Sequence, residues 1–240
     1  ISALSGLATG WERVEIDLPT PAMPAAPDGS KVYFYDVPGA SQSVFRFGYP
    51  ALKRTDPSYD VAGVMNYRLG GGGFASRLTQ ELREGKGYTY GIGSRFSGTD
   101  QVGTFSVSSD VRSNVTLEAA SLVRDIMAGY AATFTENDLD VTQGFFTKSQ
   151  ARRFESLGAK LNVLSDIADY DLPYDYVAQQ IETVEALSVE DMQSLATQYI
   201  RPGAMNYVFV GDAATQLPRL AELGFGEPVL INEQVDALTE

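Results

Sequence analysis

The first hydrophobic pattern in the chain predicts two β-strands. Residues 32–35 are β-branched or aromatic, and residues 43–49 alternate between aromatic and smaller or polar side chains. A strand has a period of two, so this alternation gives the second strand one aromatic face. That face consists of Phe45, Phe47 and Tyr49, with Val44, Arg46 and Gly48 opposite.

A helical region with a run of glycines follows. We predict a helix over residues 59–69, which Gly70 to Gly73 end, and a short helix over residues 76–84 with Leu78 and Leu82 on one face. Glycine ends helices readily because it adopts positive φ without steric cost. The glycine run therefore separates two helices.

A β-hairpin pattern comes next. Two strand-like ranges, 88–96 and 101–111, are joined by Ser-Gly-Thr-Asp at 97–100, which has the composition of a turn. On one face of the first strand the pattern places Tyr88, Tyr90 and Ile92.

After residue 113 the period becomes helical. Spacings of 4, 3 and 4 predict one buried stripe made of Val115, Ala119, Leu122 and Ile126. Two later helices have N-terminal capping patterns, a Ser or Thr followed three residues on by Asp. These pairs are Thr135 with Asp138, and Ser188 with Asp191.

The apolar range 205–210 predicts a central strand near the end of the chain. The order is then two strands, two helices, two strands, about four helices and one strand. Such an order predicts an α+β fold, with one mostly antiparallel sheet and helices packed on one face.

Three segments follow from this order. Residues 1–29 contain four prolines within nine residues and are predicted to be an extended linker, which suggests that another segment precedes it. Residues 30–227 form the domain, and the weakly patterned residues 228–240 form a C-terminal tail.

Net charge limits the possible partners. The chain has 18 Lys and Arg against 31 Asp and Glu, a formal net charge of −13. This acidity disfavours nucleic acid and anionic lipid as partners. No apolar run approaches the ~20 residues that span a bilayer. A basic peptide is a better partner, although the acidity also has a plain explanation in solubility.

Histidine and cysteine are both absent from the sequence. Without imidazole, the zinc motifs H-E-x-x-H and H-x-x-E-H cannot be written, and neither can a Ser-His or Cys-His catalytic pair. We therefore expect no metal or cofactor, no catalytic nucleophile and no histidine base in this chain. By this reasoning the chain is not a protease on its own.

The stretch from Leu69 to Tyr90 carries the most distinctive chemistry. Arg83 lies in the last turn of the short helix, and a tight turn separates it from Tyr90 on the next strand. Both side chains could point into one space, where they would donate hydrogen bonds to a peptide carbonyl or a developing oxyanion.

Each of these features also has an ordinary structural explanation. The glycines can simply end a helix, and G-x-x-x-x-G-K-[ST], the phosphate loop, is absent. Arg83 can balance a helix dipole or an acidic neighbour, and Tyr90 can belong to the core or the sheet surface. Taken singly, these residues leave the function open.

Taken together, the residues resemble a family signature. A glycine run, then [FM]-x-S-R-L-x-[QE]-x-[IL]-R, then G-x-x-Y is similar to the second-half domain of the pitrilysin, insulysin and mitochondrial processing peptidase family. Members carry an Arg and a Tyr with six residues between them in that half, as Arg83 and Tyr90 have here. The resemblance covers about residues 31–212.

The resemblance implies a division of labour between two homologous halves that close around an unfolded peptide. The partner half, fused or separate, would hold zinc and supply the general base. In this half, Arg83 would bind a substrate carbonyl and Tyr90 would bind near the oxyanion. Gly70, Gly71, Gly72 and Gly73 would form a flexible lip of the chamber.

Two alternatives stay open, a catalytically silent scaffold and a peptide-binding domain of the same fold. The intact Arg83 and Tyr90 pair favours the enzymatic hypothesis, because a scaffold does not need it. The proline- and alanine-rich linker resembles that of exported bacterial relatives. It therefore favours a periplasmic or secreted location over a cytoplasmic one.

Overall fold

The computed structural model describes residues 5–10, 14–16, 19–20 and 22–233. Within the predicted linker, Ser5–Gly10 form a short helix, α1, and residues 22–27 have no regular secondary structure. The rest of that linker and residues 234–240 of the predicted tail lie outside the described residues. The segment boundaries at 29 and 228 stay predictions.

Six strands form a single sheet in the described part of the chain. They are β1 (Lys31–Asp36), β2 (Gln42–Pro50), β3 (Thr89–Gly98), β4 (Gly103–Arg112), β5 (Asn206–Gly211) and β6 (Val229–Leu230). Their order across the sheet is β3-β4-β2-β5-β1-β6. The pairings from β3 to β5 are antiparallel, whereas β1 is parallel to both β5 and β6. The predicted α+β fold with a mostly antiparallel sheet is confirmed.

The helices fall into two groups along the chain. The first contains α2 (Tyr59–Asn66), a π-helical turn (Tyr67–Gly71), a 3₁₀ turn (Gly73–Ala75) and a π-helical segment (Thr79–Gly85). The second contains α3 (Thr116–Thr133), α4 (Glu136–Ser149), α5 (Leu157–Tyr170), α6 (Tyr176–Ala186), α7 (Val189–Tyr199) and the short α8 (Ala213–Gln216). None of these helices combines the length and apolar character needed to cross a membrane.

The helices cover one face of the sheet, where the core is rich in aromatic side chains. The predicted alternation in β2 is confirmed, because Phe45, Phe47 and Tyr49 are buried. The Phe45 and Phe47 rings stack with their centroids 4.5 Å apart, and the tilted ring of Phe209 on β5 lies 5.3 Å from that of Phe47. Burial of these large apolar surfaces is the main stabilising contribution.

The opposite face of the sheet is open and polar. Arg46 pairs in register with Ser108 of β4 and Val208 of β5, and Ser108 pairs with Gly93 of β3. Residues on this face are exposed or half-buried, in contrast to their buried sequence neighbours. The sheet therefore presents a shallow surface with little side-chain bulk on β3.

The stripe predicted on α3 was centred on the wrong residues. Ala119 is buried as predicted, but Leu122 and Ile126 are only half-buried. The fully packed face consists of Leu117, Ala120, Val123, Met127 and Tyr130. Tyr130 fixes this rotation, because its hydroxyl donates to the Met65 carbonyl at 2.6 Å beneath α2.

Both predicted helix caps are confirmed. At α7, the Ser188 hydroxyl accepts from the Asp191 amide at 3.1 Å and the Asp191 carboxylate accepts from the Ser188 amide at 2.9 Å, which forms a capping box. At α4, the Asp138 carboxylate accepts from the Thr135 amide at 3.0 Å. Short-range capping chemistry is thus well encoded in the sequence.

The start of the predicted tail adds a strand to the sheet. Val229–Leu230 run parallel to β1, and the Ile231 amide donates to the Phe34 carbonyl at 2.9 Å. The Asn232 side chain continues the pairing, because it both accepts from the Asp36 amide and donates to the Asp36 carbonyl. A strand of two residues is too short to show an alternating pattern in the sequence.

Candidate functional site

The glycine run lies against the edge strand β3. A Cβ atom on Gly70 would stand 2.6 Å from the Ser94 amide nitrogen and 2.3 Å from its hydroxyl oxygen, so only glycine fits there. A Cβ on Gly72 would stand 2.7 Å from the Tyr67 carbonyl, and Gly73 has a φ of +55°. Gly70 is buried, while Gly71 and Gly73 are exposed. The glycines therefore allow close packing on β3, and their contact with substrate stays a prediction.

Asp138 anchors both ends of the glycine run. Its carboxylate accepts from Arg68 Nε at 2.8 Å, just before the glycines, and from Arg77 Nη2 at 2.6 Å, just after them. Arg68 also donates to the Ala75 carbonyl, and Arg77 donates to the Thr133 carbonyl at 2.7 Å. This group of Asp138, Arg68 and Arg77, the aspartate clamp, ties the segment to α3 and α4.

Asp138 is ionised under all ordinary conditions. Burial alone would raise its pKa, but hydrogen bonds from Arg68, Thr135 and Arg77 outweigh that cost and lower the pKa to about 2. Its side chain is only 6% exposed. The sequence pattern predicts that Asp138 caps a helix, and it contains no signal for the pairing of Asp138 with two distant arginines.

Polar side chains from the helices cap the outer edge of β3. The Asn66 amide donates to the Ser94 carbonyl at 2.7 Å, and the Thr79 hydroxyl donates to the Ile92 carbonyl at 3.3 Å. The Ser94 hydroxyl returns a bond to the Asn66 side-chain oxygen. These buried contacts fix the helical segment Thr79–Gly85 relative to β3, and thereby position Arg83.

Arg83 lies in the last turn of that π-helical segment and is partly exposed. Its guanidinium carbon is 4.6 Å from the centre of the Phe74 ring, and its Nε is 3.4 Å from the Glu84 carboxylate. A cation over an aromatic face gains electrostatic stabilisation and keeps its N–H groups available at the edges. Phe74 thus supports the Arg83 side chain.

A β-bulge at the start of β3 turns Tyr90 outward. The register between β3 and β4 shifts between Thr89 and Ile92. The Ser109 hydroxyl donates to Thr89 Oγ1 and the Gly91 carbonyl, both at 2.9 Å, and thereby holds the bulge. The prediction that Tyr90 and Ile92 share a face is wrong for this reason. Ile92 is buried, whereas Tyr90 is 90% exposed.

Arg83 and Tyr90 line the same pocket at the end of the open sheet face. Gln42, Asp110 and Arg112 form its other wall. The Tyr90 hydroxyl has no hydrogen-bond partner among the described residues, so it can donate to a ligand. Tyr88 packs against the core and also lines this pocket.

The chemistry of this pocket is hydrogen-bond donation. A guanidinium and a phenol offer several N–H and O–H donors to a carbonyl or an oxyanion. Among the described residues, no group of three Asp, Glu, His or Cys side chains lies close enough to hold a metal ion. The residues brought together here suit the binding of a polarised peptide group.

A family model described as the peptidase M16 inactive domain matches residues 4–144. The matched range includes the glycine run, Arg83, Tyr90 and the clamp. The chain belongs to this family. The description of this family names a domain without catalytic activity.

Known relatives place this M16 inactive domain within a family of zinc proteases. A Streptomyces coelicolor protein named as an uncharacterized zinc protease is 34% identical over 116 residues, 48% of this chain and 25% of that protein. A Helicobacter pylori protein named as a non-peptidase homolog is 24% identical over 187 residues, 76% of this chain and 42% of that protein.

A solved structure supports the assignment. The crystal structure of a peptidase M16 inactive domain from Pseudomonas fluorescens has a TM-score of 0.75 and 27% identity, covering 83% of this chain and 47% of that one. The chain thus spans between a quarter and a half of the length of these relatives.

Proposed function

We propose that this M16 inactive domain is the substrate-holding half of a zinc metalloendopeptidase. The observation that carries the proposal is the shared pocket of Arg83 and Tyr90, into which the bulge at Thr89 turns an otherwise unbonded phenol. A homologous half, fused or separate, would complete the chamber and provide the general base. Zinc held in that half would activate water and polarise the scissile carbonyl.

Each residue of the pocket has a role in this proposal. Arg83 binds a backbone carbonyl of an extended, unfolded peptide, and its stacking on Phe74 limits the conformational freedom it loses on binding. Tyr90 donates to the oxygen on which negative charge develops during attack. The donors are placed before substrate arrives, which is how such groups lower a barrier.

The charge of the peptide is a separate part of the proposal. The acidity of the whole chain favours a basic peptide, but the pocket itself contains Arg83 and Arg112 beside Asp110 and Glu84. Local charges act more strongly than distant screened ones. Matched basic and acidic peptides in the cleavage assay will show which of the two dominates.

Cleavage of a quenched fluorescent peptide by the chain mixed with its zinc-bearing half tests the proposal. We expect no cleavage by the chain alone, and a loss of about 10²–10³-fold in turnover for Arg83→Ala and for Tyr90→Phe in the mixture. Matched controls are Arg95→Ala, an exposed arginine elsewhere on β3, and Tyr33→Phe, a half-buried tyrosine of β1 outside the pocket.

The readouts separate transition-state binding from assembly. Sedimentation should show that Arg83→Ala and Tyr90→Phe still associate with the other half. Equal cleavage by wild type and both variants would refute the role of the pair, and zinc-dependent cleavage by the isolated chain would refute the inactive-half assignment itself.

A non-catalytic scaffold or peptide-binding domain is the second candidate. The Helicobacter pylori relative named as a non-peptidase homolog favours it, because the fold evidently persists without peptidase activity there. Peptide binding without cleavage in the mixture, weakened by Arg83→Ala, would favour a binding domain, and no binding at all would favour a scaffold. A periplasmic or secreted location is also part of our proposal, and cell fractionation tests it.

A further inference from the structure

Helix α5 carries a stripe of exposed leucines. Leu157, Leu161 and Leu164 are 86%, 62% and 59% exposed. Spacings of four and three residues place them on one side of the helix, over a length of about 10 Å. No residue of α5 is fully buried. We call this surface the leucine stripe.

Exposed aromatic residues flank the helix in the sequence. Phe154 precedes α5 and is half-exposed, and Tyr174 follows it with 94% of its surface exposed. An exposed apolar patch of this kind usually marks an interaction surface. The residues belong to neither the pocket of Arg83 and Tyr90 nor the core.

The opposite side of α5 attaches the helix to the domain. Val163, Ile167 and Tyr170 are half-buried on that side, and Arg54 lies 5.4 Å from the centre of the Tyr170 ring. Asp166 accepts from the Tyr176 hydroxyl at 3.2 Å. The helix is therefore held in place by its polar and half-buried side while the leucines face outward.

We propose that the leucine stripe is the docking surface for the homologous half, an inference that rests on the proposed function. The relatives support this occupant, because the chain covers only 47% of the Pseudomonas fluorescens chain and 42% of the Helicobacter pylori protein. About as much chain again is present in each of them. A segment of that size can cover a surface of this kind.

The charges around the stripe define the chemistry of the matching surface. The exposed charged residues on or next to α5 are Glu155, Asp169 and Asp171, with Arg152 and Lys160 as cations. A complementary surface is apolar at its centre and carries Lys or Arg at its rim. A second copy of this chain fits less well, because a symmetric contact would set this excess of carboxylates against itself.

The absence of cysteine from the sequence allows a direct test. Leu161→Cys carrying an environment-sensitive fluorophore is titrated with the zinc-bearing half used in the cleavage assay. We expect the emission to shift to shorter wavelength as the label leaves water. Asn162→Cys, exposed on the same helix about 100° away, is the control and should shift little.

Charge variants give a second measurement. Leu161→Glu should weaken the association of the halves about tenfold or more, while Asn162→Glu leaves it unchanged. Equal dissociation constants for both variants, or equal shifts of both labels, would overturn the proposal. So would a dimer of the chain alone that Leu161→Glu converts to monomer, because the occupant would then be a second copy.

This test and the test of the proposed function fail in different ways. If association depends on Leu161 but cleavage does not depend on Arg83, the docking surface stands and the substrate-holding role is wrong. If Arg83→Ala abolishes cleavage but Leu161→Glu does not affect association, the substrate-holding role stands and the docking surface is wrong.

Discussion

The glycine run at residues 70–73 and helix α5 are held in contrasting ways. The glycines have almost no side-chain surface, yet backbone contacts with Ser94 and the aspartate clamp fix them on both sides. Helix α5 is rich in leucine, yet none of its residues is fully buried. Tight packing of a segment in this domain therefore follows from close backbone approach and buried polar contacts, and the apolar content of the segment does not predict it.

The two regions also differ in whether their contacts lie within the domain or outside it. The glycine run and the clamp position Arg83 for the pocket, so their precision serves a site within the domain. The leucines of α5 have no such partner among the described residues, so their apolar surface suits a contact outside the domain. Mutations should reveal this difference as unequal changes in the free energy of unfolding.

The largest expected effect is that of Gly70→Ala. The added Cβ would stand 2.6 Å from the Ser94 amide nitrogen, so β3 must shift, and we expect a loss of about 3 kcal/mol or more in the free energy of unfolding. Gly63→Ala is the control, because this helical glycine has open space around it and alanine should stabilise α2 by about 0.5–1 kcal/mol. Urea denaturation measures both, and equal effects would show that Gly70 is not tightly packed.

Asp138→Asn should have the next largest effect. The neutral amide leaves Arg68 and Arg77 without their shared carboxylate, and we expect a loss of about 2–3 kcal/mol in the free energy of unfolding. Asp140→Asn, exposed on the same helix, should change it by less than about 0.5 kcal/mol. A clamp variant as stable as the control variant would mean that the glycine run is held by packing alone.

Acid should weaken the clamp in a defined range of pH. The pKa of Asp138 is lowered from 3.8 to about 2 in the folded state, so its contribution is complete above the unfolded value and is lost as pH falls from about 4 to about 2. The shift corresponds to about 2 kcal/mol. Urea unfolding of wild type and Asp138→Asn at pH 5, 3 and 2 tests this, since the difference between them should narrow with acid. A constant difference would contradict the lowered pKa.

The smallest effect should be that of Leu161→Ala on the chain alone. Because this leucine is largely exposed, we expect a change below about 0.5 kcal/mol in the free energy of unfolding. Leu82→Ala, at a fully buried leucine, should cost about 2–5 kcal/mol. A large loss at Leu161 would show that the stripe belongs to the domain's own core, and the contrast between the two regions would disappear.

Periodicity and capping predicted much of the fold. The alternation in β2, the hairpin of β3 and β4, and the cap at Ser188 depend on neighbours within a few residues, and the structure contains all three. The rotation of α3 was missed because Leu122 and Ile126 have the same period as the residues that are buried. Distant contacts distinguish the two faces, and the hydrogen bond between Tyr130 and Met65 is one of them.

The candidate site also contains features that the sequence predicts and features that depend on distant contacts. Arg83 and Tyr90 were found because their spacing resembles a family motif, and the structure places both in one pocket. The bulge that exposes Tyr90 depends on Ser109, which lies on another strand and carries no local signal. The clamp likewise joins residues 68, 77 and 138, which are far apart in the sequence. The neighbours of Asp138 in the sequence therefore predict its role as a helix cap but not its ion pairs.

The capped edge of β3 has a consequence for how the domain meets other chains. Exposed strand edges template the addition of further strands, and unfolded peptides are ready partners for such growth. Asn66 and Thr79 occupy carbonyls of β3 that an incoming strand would need. The edge of β3 is therefore a poor template for a further strand at Ile92 and Ser94, and the domain has less tendency to aggregate through this edge.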